Sequence, residues 1–76
     1  MILTDGVHVV SDTSIVELHR FAIGIGMPQR WFQGRRIPHY DLLSDKFARR
    51  VAAQVAVVST RELVKRAVRR TKREGS

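Results

Sequence analysis

The sequence predicts an α/β (or α+β) fold. One compact domain over residues 1–76 should hold a small sheet of three or four short strands and three helices, in the order β-β-α-β-α-β-α. Three observations carry this. Apolar residues make up 43% of the 76-residue chain, enough for a core and too many for a disordered tail. Short β-branched runs alternate with stretches of helical periodicity. The capping-box pattern Ser-x-x-Glu, which opens helices, occurs at Ser14–Glu17 and again at Ser59–Glu62.

The first element reads as a β-hairpin. Ile2-Leu3-Thr4 and Val7-His8-Val9-Val10 are β-prone, and Asp5-Gly6 between them signals a two-residue type I′ turn. A helix follows, with Asp12, Thr13 and Ser14 as candidate N-caps. Ile15, Leu18, Phe21, Ala22 and Ile25 share one of its faces. Val16 and Ile23 widen that face, so the helix is expected to be buried on more than one side. His19 falls in the widened arc and is expected to be mostly buried, bonded to backbone or a carboxylate. Gly24, Gly26 and Pro28 end the helix. Pro28 then starts a short helical turn over Gln29-Arg30-Trp31-Phe32, whose two aromatic residues should anchor the irregular centre. Gly34-Arg35-Arg36 is a basic loop, and Pro38 cannot occupy a central strand position.

A short strand is expected within His39 to Leu43. Ser44 or Asp45 caps a second helix from Lys46 to about Ala53. Val55-Ala56-Val57-Val58 has the character of a buried strand. The last helix opens at Ser59 and carries an apolar stripe of Leu63, Val64, Ala67 and Val68, continued by Thr71. Arg61, Lys65, Arg66, Arg69, Arg70, Lys72 and Arg73 cover its other side and are expected to face out. Residues 73–76 should fray. The strand order cannot be derived, although a strand–helix–strand unit should cross over right-handed.

The formal net charge is +7, and it is unevenly placed. Residues 1–29 carry −2, residues 30–60 carry +4 and residues 61–76 carry +5. Such polarity suits an acidic partner: nucleic acid first, an acidic protein surface next. Arg35 and Arg36 would add a second contact region to the terminal helix, and Trp31 and Tyr40 are candidate stacking groups for single strands. A membrane surface is a poor fit, because the apolar stripe has no aromatic residue. The absence of cysteine excludes disulfides, thiolate zinc sites and cysteine nucleophiles. No apolar run approaches the ~18 residues of a membrane span. Met1 to Asp5 does not start a signal peptide, so a cytoplasmic protein is expected. A core this small is compatible with homodimer formation.

The polar set Asp5, His8, Asp12, His19, His39 and Asp41 contains the residue types of a metal or acid–base site. The leading catalytic candidates are His19, His39, Asp41 and Asp12. His39 and Asp41 are two apart on a strand, which puts them on one face, with Asp41 able to orient the imidazole. No His-x-x-x-His or His-Glu-x-x-His spacing occurs, so no metal site and no cofactor can be read locally. The structural alternative has Asp12 capping a helix, His19 satisfied in the core and Asp41 paired with an arginine. Serines 11, 14 and 59 read as caps, and the glycines form no phosphate loop.

Three stretches together resemble a known family: Ser11-Asp12-Thr13 leading to Glu17-Leu18-His19-Arg20-Phe21-Ala22; Arg30-Trp31-Phe32-Gln33; and His39-Tyr40-Asp41-Leu42. With Ser59-Thr60-Arg61-Glu62-Leu63, their order and spacing are similar to the small bacterial and phage proteins grouped as domain of unknown function 4031. The resemblance runs from about residue 2 to residue 68. Two features depart from the family pattern: the short connection after Asp5, and Gln54 where a glycine is more usual. The resemblance implies a compact cytoplasmic protein, often phage-encoded and then acting in the host cytoplasm. It supplies no activity and no catalytic residues. On the residues alone, a basic binding protein acting through its terminal helix is favoured over an enzyme with a His/Asp site. Meeting of His19, His39 and Asp41 within ~4 Å in an open pocket would reverse that order.

Overall fold

Strand β1 (Ile2–Thr4) and strand β2 (His8–Ser11) form the expected antiparallel hairpin, with Thr4 opposite Val9. The turn between them is not type I′. That type needs a left-handed backbone at both central residues, and here only Gly6 has one (φ 94°). Asp5 builds the turn instead, its Oδ1 accepting from the backbone N–H of Val7 (2.9 Å) and His8 (2.7 Å). The computed structural model describes the backbone of residues 1–74 and the side chains of residues 1–70.

Helix α1 (Ile15–Gly24) starts at Ser14, whose Oγ accepts from Glu17 N–H. The Glu17 carboxylate does not close a capping box; it takes the Ser11 hydroxyl (2.6 Å) and the Met1 ammonium (2.6 Å). Leu18 and Ala22 are buried, but Val16 and Ile23 are exposed. The helix is therefore an outer layer with one packed face, and the wider burial expected for it does not occur. After a 3-10 turn (Gln29–Trp31) come β3 (Phe32–Gln33), β4 (His39–Asp41), α2 (Asp45–Ala52), β5 (Ala56–Val57) and α3 (Thr60–Glu74). Ser44 caps α2 and Ser59 caps α3, each accepting from the N–H three residues on. The α3 backbone is described to Glu74; Gly75 and Ser76, the end of the segment expected to fray over 73–76, lie outside the described residues.

The sheet has five strands in the order β3-β4-β2-β1-β5, with β5 parallel to β1 and every other pairing antiparallel. The fifth strand, β3, is two residues long, too short to show a period. Strand β5 was expected to be buried; it is an edge strand, and Val57 is exposed. The sheet separates two apolar layers. Val9 and Tyr40 face Leu18, Ala22, Met27, Trp31 and Val51, under α1 and α2. Leu3 and Val10 face Leu63 and Ala67 of α3. No helix among the described residues is long and apolar enough to cross a membrane.

Helix α3 sits slightly rotated from the expected stripe. Among the described side chains of α3, Leu63, Ala67 and Arg70 are buried, while Val64 is exposed. Arg70 is thus not an outward cation. It is fully buried, and its Nη1 donates to the Ser11 carbonyl at the end of β2 (2.9 Å). Arg66 is half-buried and pairs with Glu62 (3.2 Å) and Asp12 (3.7 Å). Replacing Arg70 by alanine should cost about 1–3 kcal/mol, because a buried carbonyl loses its charged donor. Arg69→Ala, on the exposed side, should stay within about 0.5 kcal/mol. Urea unfolding of the two variants separates a structural arginine from a surface one.

Candidate metal centre

Antiparallel pairing of β2 with β4 sets His8 directly opposite Asp41. His39 lies two residues before Asp41 and projects from the same face, the one α3 covers. The three side chains converge, with ligand atoms from each within 4.8 Å of one another. The His8 and His39 rings meet edge to face, their centroids 5.4 Å apart.

Hydrogen bonds fix how both imidazoles present themselves. His39 Nδ1 lies 2.7 Å from the Ile37 carbonyl, which can only accept, so Nδ1 carries the proton. His39 Nε2 lies 3.2 Å from Asp41 Oδ1, an ion pair when the ring is doubly protonated and a pair of candidate ligand atoms when it is neutral. His8 Nδ1 lies 3.0 Å from the ionised Asp5 Oδ2 and donates to it, so Nε2 is the nitrogen left to ligate a metal. Asp5 is held by its surroundings: its side chain is 2% exposed, and Thr60 at the start of α3 donates to Oδ2 (2.7 Å). Burial alone would raise the Asp5 carboxyl. Hydrogen bonds from His8, Thr60 and the backbone of His8 and Val7 outweigh that and hold it far below the usual carboxylate range. Asp5 is therefore an ionised acceptor that orients His8, as carboxylates behind metal-bound histidines do.

With both imidazoles neutral, the three residues offer the point where they converge one nitrogen or carboxylate oxygen each, within 4.8 Å of one another. Ligand bonds of about 2.1 Å place neighbouring ligand atoms ~3.0–3.4 Å apart in octahedral or tetrahedral geometry. The His39–Asp41 separation of 3.2 Å lies within that range. The three candidate ligands are partly exposed, and His8 and His39, though not Asp41, line a cavity of about 130 Å³ together with Val10, Ile37, Thr60, Leu63 and Val64. Three protein ligands with open positions are the arrangement of catalytic rather than structural metal sites.

The other expected catalytic residues lie elsewhere. His19 is on the opposite face of the sheet, half-buried, with Nδ1 2.7 Å from the Tyr40 hydroxyl and its ring against Phe32. Its partner is a phenol, not the backbone or carboxylate expected. Asp12 pairs with the Met1 ammonium (3.0 Å) and Arg66. Asp41 pairs with His39 rather than an arginine. His8 takes the place that sequence reasoning gave to His19. Its signal was present, an imidazole three residues after a turn aspartate, but its meaning depends on β4 lying beside β2. Trp31 and Tyr40 are buried, which removes them as stacking groups for single strands.

Of the basic residues expected to contact a partner, Arg35, Arg36, Arg61, Lys65 and Arg69 are exposed, Arg66 is half-buried and Arg70 is buried. The side chains of Lys72 and Arg73 lie outside the described residues.

The depressed Asp5 pKa carries a consequence for folding. A carboxyl lowered in the folded state adds stability that is complete above its unfolded value, near 3.9, and is lost as pH falls toward the folded one. Asp12 and Glu17 are also lowered: hydrogen bonds from the Met1 ammonium and neighbouring hydroxyls outweigh burial at Asp12 and lead at Glu17. In metal-free buffer the stability of Asp5→Asn should therefore fall less steeply than wild type below about pH 4. Equal slopes in pH-dependent urea unfolding would refute this role for Asp5.

Residues 5–70 match the profile of a family described as "Protein of unknown function (DUF4031)". No curated protein and no solved structure matches the chain.

Proposed function

The chain belongs to the DUF4031 family, which is described only as of unknown function, and we propose from the chain's own geometry that it binds a divalent transition-metal ion and hydrolyses a small substrate. The ligands are His8, His39 and Asp41, with Asp5 positioning His8. One observation carries the reading: His8, His39 and Asp41 converge beside an open cavity that the two imidazoles line, with both Nδ1 atoms already engaged by Asp5 and the Ile37 carbonyl. Two imidazoles and a carboxylate suit an ion of the Zn²⁺ class. Such an ion brings the pKa of bound water to about 7 and polarises a substrate carbonyl. The competing arrangement is a doubly protonated His39 paired with Asp41, which would exclude a metal. Calorimetric titration of the metal-free protein with Zn²⁺ decides between them. A 1:1 isotherm, with Co²⁺ giving visible absorption in the same site, supports the metal. Absence of both refutes it.

A second reading keeps nucleic acid as a partner. Arg61, Lys65 and Arg69 are exposed at four-residue spacing and so form one ridge along α3. Backbone contact through this ridge predicts salt-sensitive binding, with a log–log slope of about −0.9 per duplex phosphate contacted. The triple variant Arg61→Gln, Lys65→Gln, Arg69→Gln should flatten the slope without unfolding the domain. Titration with duplex and single-stranded DNA at low salt measures it. If neither binds, an acidic protein surface is the better partner for the ridge.

A further inference from the structure

The cavity beside the metal ligands has an unusual division of labour on its walls. Its apolar side is Val10 from β2, Ile37, and Leu63 and Val64 from α3. Its polar side is the two imidazoles, together with Thr60, whose hydroxyl proton is spent on Asp5. The Nδ1 protons of both imidazoles are likewise spent, on Asp5 and on the Ile37 carbonyl. A molecule entering the cavity therefore meets hydrocarbon on one side. On the other it meets the rings of His8 and His39, two of the three candidate ligands.

We infer that the substrate of this centre is a short-chain aliphatic acyl compound, with its chain in the cavity and its carbonyl at the metal. The inference rests on the metal reading above. Charge supports it: two neutral imidazoles and one carboxylate around a dication leave one positive charge. That charge matches the anionic intermediate of acyl transfer and the carboxylate product. Size supports it as well. The cavity is about 130 Å³, and an apolar cavity of ~150 Å³ accepts benzene, so roughly six carbons fit. In the reaction a water oxygen bonds to the acyl carbon as the ester C–O bond breaks; one proton of that water goes to solvent and the other to the leaving alkoxide, and an ion held by His8, His39 and Asp41 would polarise the ester carbonyl. One water and one ester give a carboxylate, an alcohol and the released proton.

The free carboxylates serve as probes. Protein first titrated with Zn²⁺ alone is then titrated with sodium acetate, butyrate, hexanoate and octanoate, and in parallel with inorganic phosphate. Affinity should rise about fourfold per methylene up to hexanoate, then level off at octanoate. Phosphate should bind more weakly than hexanoate, and metal-free protein should show no such series. Val64 is partly exposed, and Val64→Asn should flatten the series while leaving the Zn²⁺ isotherm unchanged. A flat series on zinc-loaded wild type, tighter binding of phosphate, or an equal series without zinc overturns the acyl inference and leaves the metal reading standing. Failure of Zn²⁺ itself to bind overturns both.

Discussion

Trp31→Ala should cost about 3–5 kcal/mol, the largest loss expected from a single side chain in this domain. Trp31 is 9% exposed and lies in the core layer with Leu18, Ala22, Met27, Tyr40 and Val51. Its ring stands edge-on to Phe47 of α2, with centroids 5.3 Å apart. It belongs to a three-residue 3-10 turn with no side-chain cap, so packing rather than hydrogen bonding holds that turn to the sheet. Truncation would leave a void beneath α2 and free the segment that delivers β3. Domains of this size are stable by only about 5–15 kcal/mol in general, and small ones sit at the low end. Thermal unfolding followed by circular dichroism should show a lowered midpoint or no cooperative transition. A near-native midpoint would mean that Trp31 contributes little to the core and that Phe47 and Met27 hold the centre without it.

Much of this architecture was legible because local signals and tertiary demands agree. Ser14, Ser44 and Ser59 cap the three helices at the expected positions. Pro28 precedes the short turn that buries Trp31. The misreadings share a cause. Helical periodicity says which residues lie together on a wheel, but not which sector meets the sheet. Rotation of α3 by about one residue sends Arg70 inward and Val64 outward. Arg70 is tolerated there because the end of β2 offers the Ser11 carbonyl to a charged donor. The wide apolar arc of α1 was likewise over-read, since Val16 and Ile23 lie beyond the single face that the sheet covers.

The candidate site was half legible for the same reason. His39 and Asp41 share a face by strand alternation, which is a local property. His8 joins them only through the β2–β4 register, which is a property of strand order. His19 looked equivalent from its helix, but it contacts Tyr40, the residue between His39 and Asp41 whose side chain points to the other side of the sheet. One residue of alternation separates the two environments.

That alternation sets the second large effect. At a free zinc concentration of a hundred times Kd, binding should stabilise the wild-type protein by about 2.7 kcal/mol. In a domain this small each kcal/mol moves Tm by about 4–8 °C, so zinc should raise it by roughly 10–20 °C. His39→Ala and Asp41→Asn each remove a ligand and should abolish the shift. Asp5→Asn keeps all three ligands but loses the ionised acceptor behind His8, so affinity should fall about 10–100-fold. Its shift should then shrink at fixed zinc and return at higher concentration. His19→Ala provides the control from the other face of the sheet: it gives up the Tyr40 hydrogen bond, lowering the metal-free Tm, while the zinc-induced increment stays intact. Asp12→Asn should likewise preserve the increment, because Asp12 contacts the Met1 ammonium and Arg66 rather than the ligands. A zinc shift that persists in His39→Ala, or that disappears in folded His19→Ala, would place the metal away from the β2–β4 face.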